Sequence, residues 1–322
     1  MILGIIEHSE GTVSKLSLEM LNFGRGLAQA SGKPLNAIIV GADAGSLVGQ
    51  IGDHGIDTVY VVEDARLTDY APDAWAQSVV GLVGSHNPEA VIACGSEVGN
   101  ELMARVAAKL DLPMAANALE VETGDVYTMT RVRWGGSLLE EASLTASTKL
   151  LTVAQHAFEP LATGSGAPKV ETITADISDA DLIVKVTKRI VPEADGISLT
   201  DAPIVVSGGR GVGSADGFGS LMELAGLVGG AVGCSRAVTN NGWRPHSDQV
   251  GQTGARVAPN LYIACGISGA SQHISGCAGS KAIMVINSDP EAPIIAKAAY
   301  AVIGDLHEVV PAVIAEIKKR KG

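Results

Sequence analysis

The feature that most constrains this chain is its rhythm, in which short β-branched runs alternate with longer stretches whose apolar residues recur at helical spacing. Runs near 2–6, 36–41, 58–62 and 90–94 read as strands, and stretches near 13–30, 71–84 and 97–109 read as helices. Such alternation predicts a parallel sheet flanked by helices, because parallel neighbours need a crossover and a helix supplies it. After Pro113 the rhythm changes. Segments near 118–133 and 137–155 read as strands with no helix between them, which predicts an antiparallel extension of the same sheet.

The rhythm then starts again. Residues 159–166 are loop-like, 181–190 alternate as a strand does, and Val191-Pro192-Glu193-Ala194-Asp195-Gly196 with Asp201-Ala202-Pro203 has the Pro, Gly and acidic residues of a linker. We therefore expect an N-terminal α/β domain over 1–195, a linker over 196–202 and a C-terminal domain over 203–322. Two domains suit a chain of 322 residues. The C-terminal part opens with strand Ile204-Val205-Val206-Ser207, a glycine-rich turn and a helix near 217–229. Strands near 231–235, 261–266, 282–287 and 300–303 and a last helix over 306–320 follow. This is a doubly wound α/β unit, and such units bind ligands beyond the carboxyl ends of their strands.

Several function classes fall away on composition. A formal net charge of −12 disfavours nucleic acid, whose affinity rests on Lys and Arg displacing counterions. The basic run Lys318-Lys319-Arg320-Lys321 ends a predicted helix, where it offsets the carbonyl end of the dipole. No apolar stretch reaches the ~18–20 residues of a membrane span. The first residues enter a strand directly, with no basic region or signal-peptide architecture, so a cytoplasmic protein is expected. Cys94, Cys234, Cys265 and Cys277 have no CxxC or zinc spacing and read as small buried hydrophobes; no metal is expected.

The turn Ser207-Gly208-Gly209-Arg210-Gly211-Val212-Gly213-Ser214 lies between a predicted strand and a predicted helix, where glycines would let backbone amides approach a phosphate. Its spacing begins like a P-loop, but Ser214-Ala215 stands where Lys-Ser/Thr belongs. The dinucleotide fingerprint is also incomplete, since Gly209-x-Gly211 leads to Ser214 in place of a third glycine. A nicotinamide-dependent oxidoreductase with two α/β domains would need that fingerprint, an acidic residue about 20 positions on and a proton-transfer group. Its first requirement is not met. A nucleotide-sensing module is a third reading, and no Ser/His/Asp grouping supports hydrolysis.

The later blocks are more specific. They read Gly233-Cys234-Ser235-Arg236, Gly242-Trp243-Arg244-Pro245, Gln249-Val250-Gly251-Gln252-Thr253-Gly254, Gly266-Ile267-Ser268-Gly269-Ala270-Ser271-Gln272-His273 and Asn287-Ser288-Asp289-Pro290-Glu291-Ala292-Pro293. In register from about 204 to 320 they resemble the C-terminal signature of electron-transfer flavoprotein α subunits. The first half resembles the family more loosely, through residues 2–8 and a Rossmann-like α/β rhythm. The resemblance implies a redox carrier, not an enzyme with its own substrate. FAD would sit in the C-terminal domain, and a β subunit carrying AMP or a second FAD would complete a heterodimer. Flavoprotein dehydrogenases would donate electrons and a quinone oxidoreductase or another acceptor would take them, with no insertion of this chain into a membrane. By the same resemblance Arg210, Ser235 and Ser268 lie near the pyrophosphate and adenosine half, with Asn287, Asp305 and Leu306 closing around the adenosine. Arg236, Val250, Gly251, Gln252 and Thr253 would surround the ribityl chain and isoalloxazine. Gly269, Ala270, Ser271, Gln272 and His273 would complete the pocket.

The residue types make chemical sense for a flavin. Reduction concentrates negative charge at N1 and the C2 carbonyl, which a nearby Arg or protonated His favours, a task that suits Arg236 and His273. A hydroxyl such as Thr253 can bond N5, and Gly251, Gly254 and Gly269 permit close backbone approach. Other residues carry plainer readings: Trp243 with Pro245 as a loop anchor, Tyr262 as core, His8 and His246 as strand-end or loop residues, Glu140-Glu141 as an exposed acidic pair.

Overall fold

The structure is a computed structural model that describes residues 1–136, 138–164, 166–188 and 197–321. The chain forms two compact units, one made mainly of residues 1–191 and the other mainly of 192–322.

The N-terminal unit begins with β1 (Ile2–Ile5), a small hairpin of β2 (His8–Ser9) and β3 (Thr12–Val13), α1 (Lys15–Ser31), β4 (Leu35–Gly41) and α2 (Val48–Ile51). Next come β5 (Thr58–Glu63), α3 (Pro72–His86), β6 (Ala90–Cys94), α4 (Glu97–Leu110), β7 (Met114–Glu122), β8 (Tyr127–Arg133), β9 (Leu138–Leu144), β10 (Lys149–Val153) and β11 (Lys169–Ile173). Nine of these strands make one sheet in the order β11-β5-β4-β1-β6-β10-β7-β8-β9. Pairing is parallel up to β7 and antiparallel for β7 with β8 and β8 with β9. All seven residues of β4 are buried, as a strand covered on both faces requires. One face packs Met20, Leu21, Phe23 and Leu27 of α1; the other packs Trp75, Val79 and Leu82 of α3 with Leu102, Met103 and Val106 of α4.

Two sequence expectations need correction. The stretch 137–155 is two strands: β9 forms the outer antiparallel edge, and β10 is inserted in parallel between β6 and β7. No strand follows at 181–188. Ser178 and Asp181 form a capping box, in which the Asp181 carboxylate accepts from the Ser178 amide at 3.0 Å, and start a short 3-10 turn over Asp179–Leu182. Positions 189–190, like the linker residues Val191–Gly196, lie outside the described residues. Glu140 and Glu141 are both exposed, as expected of this acidic pair, and Glu140 lies 3.3 and 3.5 Å from Arg131 and Arg133.

The C-terminal unit contains β12 (Ile204–Gly208), α5 (Phe218–Val228), β13 (Ala231–Cys234), α6 (Arg236–Asn240), β14 (Leu261–Cys265), α7 (Ser271–Cys277), β15 (Ile283–Asn287), β16 (Tyr300–Ile303) and α8 (Leu306–Lys321). Its five strands are all parallel in the order β13-β12-β14-β15-β16. Residues 198–202 form a turn ahead of β12, with the Asp201 and Ala202 amides both donating to the Ser198 carbonyl. Helix α5 is seated by Phe218, which is 1% exposed; a side chain of this kind contributes about 1.5–3 kcal/mol when fully buried. Position 208 must lack a Cβ, because one there would stand 2.5 Å from the Phe218 ring. Trp243 packs onto the same cluster, in keeping with a loop anchor. The basic tail is largely paired: Lys318 with Glu223 at 2.5 Å, Arg320 with Glu316 at 2.7 Å, and Lys321 with the Leu227 carbonyl. Among the described residues no helix is long and apolar enough to cross a membrane.

Candidate functional site

From β12 the chain proceeds to β13 on one side of the sheet, then returns to β14 and β15 on the other. The carboxyl ends of β12 and β14 therefore flank a topological switch point, where an open parallel sheet forms a crevice. A cavity of about 520 Å³ lies there, within the size range of cofactor sites.

Two loops meet at its base. The Gly209 amide donates to the Cys265 carbonyl at 2.8 Å, and the Gly211 amide to the Gly266 carbonyl at 3.1 Å. A Cβ at position 209 would come within 2.2 Å of the Gly266 oxygen. These glycines let two loops of the protein touch, and their amides are already bonded. The sequence reading that turned these amides toward a phosphate at a helix N-terminus is therefore corrected; α5 starts only at Phe218. What the turn offers the cavity is Arg210, whose exposed guanidinium has no carboxylate partner among the described residues.

The segment after β13 builds a second wall. Ser235 precedes α6, and Arg236 opens it with an exposed side chain that likewise has no carboxylate partner among the described residues. The Val250 amide returns to the Cys234 carbonyl at 2.8 Å, and the Gln252 amide reaches the Gln272 carbonyl at 2.7 Å. Gly251 has φ 144°, and a Cβ at 276 would meet its nitrogen at 2.3 Å, so these glycines too serve contact between backbones. Gly254 and Gly269 follow suit: a Cβ there would meet the Gln249 carbonyl at 2.2 Å or Ile294 at 2.5 Å. Sequence reasoning missed Gln249. This 2% exposed side chain reaches the cavity and joins the Thr239 and Thr253 hydroxyls at 2.6 and 2.9 Å. Nothing in its spacing marks it, since its partners meet only in three dimensions.

The third wall follows β14 and β15. Ser268, Gly269, Ala270 and Gln272 line it, and Asn287 closes it, its amide donating to the Ile267 carbonyl at 2.9 Å and its oxygen accepting from the Asp289 amide at 3.0 Å. His273 is 7% exposed and its Nε2 lies 2.9 Å from the Tyr262 hydroxyl. Burial pulls the imidazole down to about 4, against a smaller opposing pull from the Val250 backbone. The ring is neutral at pH 7, which corrects the expectation of a His273 cation.

Arg210, Ser235, Arg236, Val250, Gly251, Gln252, Thr253, Ser268, Gly269, Ala270, Gln272, His273 and Asn287 are thus brought to one cavity. The other three expected residues are not on its wall. Ser271 is exposed in the first turn of α7, Asp305 accepts from the His307 amide at 2.9 Å at the start of α8, and Leu306 stands behind the wall against Gly266.

Comparison with known proteins adds to this geometry. Residues 2–178 match the family described as electron transfer flavoprotein domain, and residues 198–278 match the electron transfer flavoprotein FAD-binding domain. The chain belongs to the electron transfer flavoprotein family. Relatives named electron transfer flavoprotein subunit alpha include one from Thermoanaerobacterium thermosaccharolyticum, 35% identical over 98% of this chain and 97% of the relative. Another, from Mycobacterium leprae, is 37% identical over 99% and 98%. A protein named FixB from Clostridium saccharobutylicum is 37% identical over 97% of this chain and 95% of its own length. The second match starts just before β12 and ends just after α7, so it spans the strand ends that build most of the cavity.

Proposed function

We propose that this chain is the FAD-carrying subunit of a heterodimeric electron carrier, with its cofactor in the cavity beyond β12 and β14. The observation that carries this reading is the cavity of about 520 Å³ at the switch point, into which Arg210 and Arg236 bring two guanidiniums with no carboxylate partner among the described residues. The rest of the donor set fits a flavin dinucleotide. Arg210 offers a guanidinium to the pyrophosphate and Arg236 one to the ring end, neither with a carboxylate partner among the described residues; Ser235 and Ser268 add hydroxyls, and Asn287 with Thr253 and Gln252 adds uncharged polar groups.

FAD, when bound, supplies the redox chemistry by accepting and releasing electrons at its isoalloxazine ring. The protein's task is to bind, orient and tune. Thr253 accepts from Gln249, which leaves its own hydroxyl hydrogen free to donate. Arg236 raises the local potential and so favours the more negative state of a ligand. Asp305, Leu306 and Ser271, off the wall, would act by supporting the loops that form it. The N-terminal unit is the surface we assign to a β subunit, which carries AMP or a second FAD. Flavoprotein dehydrogenases donate to the pair, a quinone oxidoreductase or other acceptor oxidises it, and the complex works in the cytoplasm.

Coexpression with the β subunit, acid release and chromatography test the reading. One FAD per copy of this chain is expected, and its loss on Arg210→Ala together with Asn287→Ala. A colourless complex that FAD cannot reconstitute, or one that retains only FMN, would overturn it.

A further inference from the structure

Three side chains between β13 and β14 form a hydrogen-bonded row that ends in the cavity. Thr239, in α6, stands behind the cavity wall, Gln249 lies in the wall at 2% exposure, and Thr253 is exposed at its surface. Thr239 Oγ1 donates to Gln249 Oε1 at 2.6 Å, and Gln249 Nε2 donates to Thr253 Oγ1 at 2.9 Å. These are ordinary lengths for an O–H···O and an N–H···O bond, whereas 2.6 Å would be short for an amide nitrogen. In this setting the Thr253 oxygen accepts from Gln249, and its hydrogen is left for the cavity.

The row has a second way to pair. A hydroxyl has one hydrogen, yet Thr239 Oγ1 has two acceptors in reach, Gln249 Oε1 and the Arg236 carbonyl at 3.0 Å. When Thr239 donates to Arg236, its oxygen can accept from Gln249 Nε2, and the amide, turned over by half a rotation, points Oε1 at Thr253. Thr253 then donates inward and shows the cavity a lone pair. Every member of the row has a partner in either setting. The Gln249 backbone stays where it is, because its amide donates to the His246 carbonyl at 3.0 Å and its carbonyl accepts from the Ala255 amide at 2.7 Å.

We propose that Gln249 is a positioning residue with two settings, whose side-chain amide turns over to make Thr253 either a donor to the ligand in the cavity or an acceptor from it. The ligand that uses both settings is the flavin of the reading above, on which this inference rests. The flavin N5, which a hydroxyl such as Thr253 can bond, is a bare acceptor in the oxidised ring. It is an N–H after the ring has taken two electrons from a donor protein and a proton from water. A fixed donor would suit one state only. A turning amide keeps the bond in both, and Thr239 with the Arg236 carbonyl absorbs the reversal at the far end.

The test is infrared spectroscopy of the FAD-loaded heterodimer, oxidised and after reduction with dithionite, with the glutamines of this chain carrying 13C at the side-chain carbonyl. The Gln249 line is the one lost in Gln249→Leu. It should move between the two states, and Thr239→Val should raise its frequency in the oxidised complex only, because only there does the carbonyl accept from Thr239. Thr239→Ser, which keeps the hydroxyl, should leave the line at its wild-type place, and Thr239→Ala serves if the valine variant does not fold. Equal displacement by Thr239→Val in both states, or none in either, would mean an amide held in one setting and would overturn the proposal. A complex that takes up no FAD, with a line that Thr239→Val still displaces, would sink the flavin reading and the second setting together and leave only the bond from Thr239 to Gln249 standing.

Discussion

Each unit has a run of parallel strands with a comparable switch point, yet the two treat the crevice there in opposite ways. In the N-terminal unit β1 is flanked by β4 and β6, so its crevice follows the ends of β1 and β6. The Glu7 carboxylate fills it, accepting from Ser96 Oγ at 2.5 Å and Cys94 Sγ at 2.9 Å. The neighbouring Gly95 carbonyl is taken by Asn100 and Gln155 at 2.9 and 2.8 Å, and its amide donates to the Val153 carbonyl. In the C-terminal unit the corresponding place keeps an open cavity and two guanidiniums without a carboxylate partner among the described residues.

The difference teaches that a doubly wound sheet supplies the location of a site but not the site. A carboxylate carried by the chain can satisfy the donors at the strand ends, as Glu7 does beside the N-terminus of α4, where negative charge is favoured. Where no such group is present, the unpaired donors are left for a ligand. Glycine content does not separate the two cases, since Gly209, Gly251, Gly254 and Gly269 are required by backbone contacts within the protein.

The largest effect expected from this contrast concerns the neutral imidazole of the open crevice. The folded state holds His273 near 4 by burial, whereas the unfolded chain protonates it near 6.5. Between those values the unfolded state binds the additional proton, so stability is complete above about pH 6.5 and falls as the pH drops toward 4, by about 3 kcal/mol in all. Urea unfolding of the heterodimer from pH 7 to pH 4 should show this slope in wild type and a shallower one in His273→Gln. Identical slopes would mean that the ring is already charged or solvated in the folded state.

How much of this was legible varied with the physics. Strands buried on both faces announce themselves by continuous apolar runs, and β1, β4, β6, β12, β14 and β15 lie where those runs are. The run 137–155 fused two strands because Thr145-Ala146-Ser147-Thr148 carries none of the Gly, Pro, Asn or Asp that usually punctuates a turn. The alternation at 181–190 mimics a strand, but Ile183, Val184 and Val186 are exposed at 78, 47 and 38% and pair with nothing in a sheet. At the site, the hydroxyl, Arg and Gly blocks could be read by resemblance. The neutrality of His273 could not, since it depends on burial beside Tyr262, and Gln249 acquires its role only where Thr239 and Thr253 converge.

An intermediate effect is expected in the filled crevice. Glu7→Ala leaves the Ser96 hydroxyl and the Cys94 thiol without their shared acceptor, which costs about 2 kcal/mol. Burial already holds the Cys94 thiol well above its ordinary value, so it remains a donor in need of a partner. A lower urea midpoint with full FAD content is the expected result. Loss of FAD at unchanged stability would make the N-terminal crevice part of the cofactor's environment and erase the contrast between the two units.

The smallest effect belongs to Arg236. Its side chain is exposed at the cavity rim and has no carboxylate partner among the described residues, so its removal should leave folding almost unchanged. The substitution removes a full positive charge, since a guanidinium is a cation. A ligand that gains negative charge on reduction is stabilised by a nearby cation, so Arg236→Ala should make that reduction harder and lower the potential. Solvent screens an exposed charge, which limits the contribution to roughly 0.5–1 kcal/mol. That is about 20–40 mV for one electron. Spectroelectrochemical titration of wild type and Arg236→Ala in the same heterodimer, with FAD occupancy equalised first, measures it. Raising the ionic strength should shrink the difference, since salt screens an exposed cation more than a buried one. A drop that resists salt would place the Arg236 charge in a drier part of the cavity than its exposure indicates. An unchanged or raised potential would remove it from the cofactor's electrostatic surroundings and leave the neutral imidazole of His273 as the polar group that tunes the open crevice.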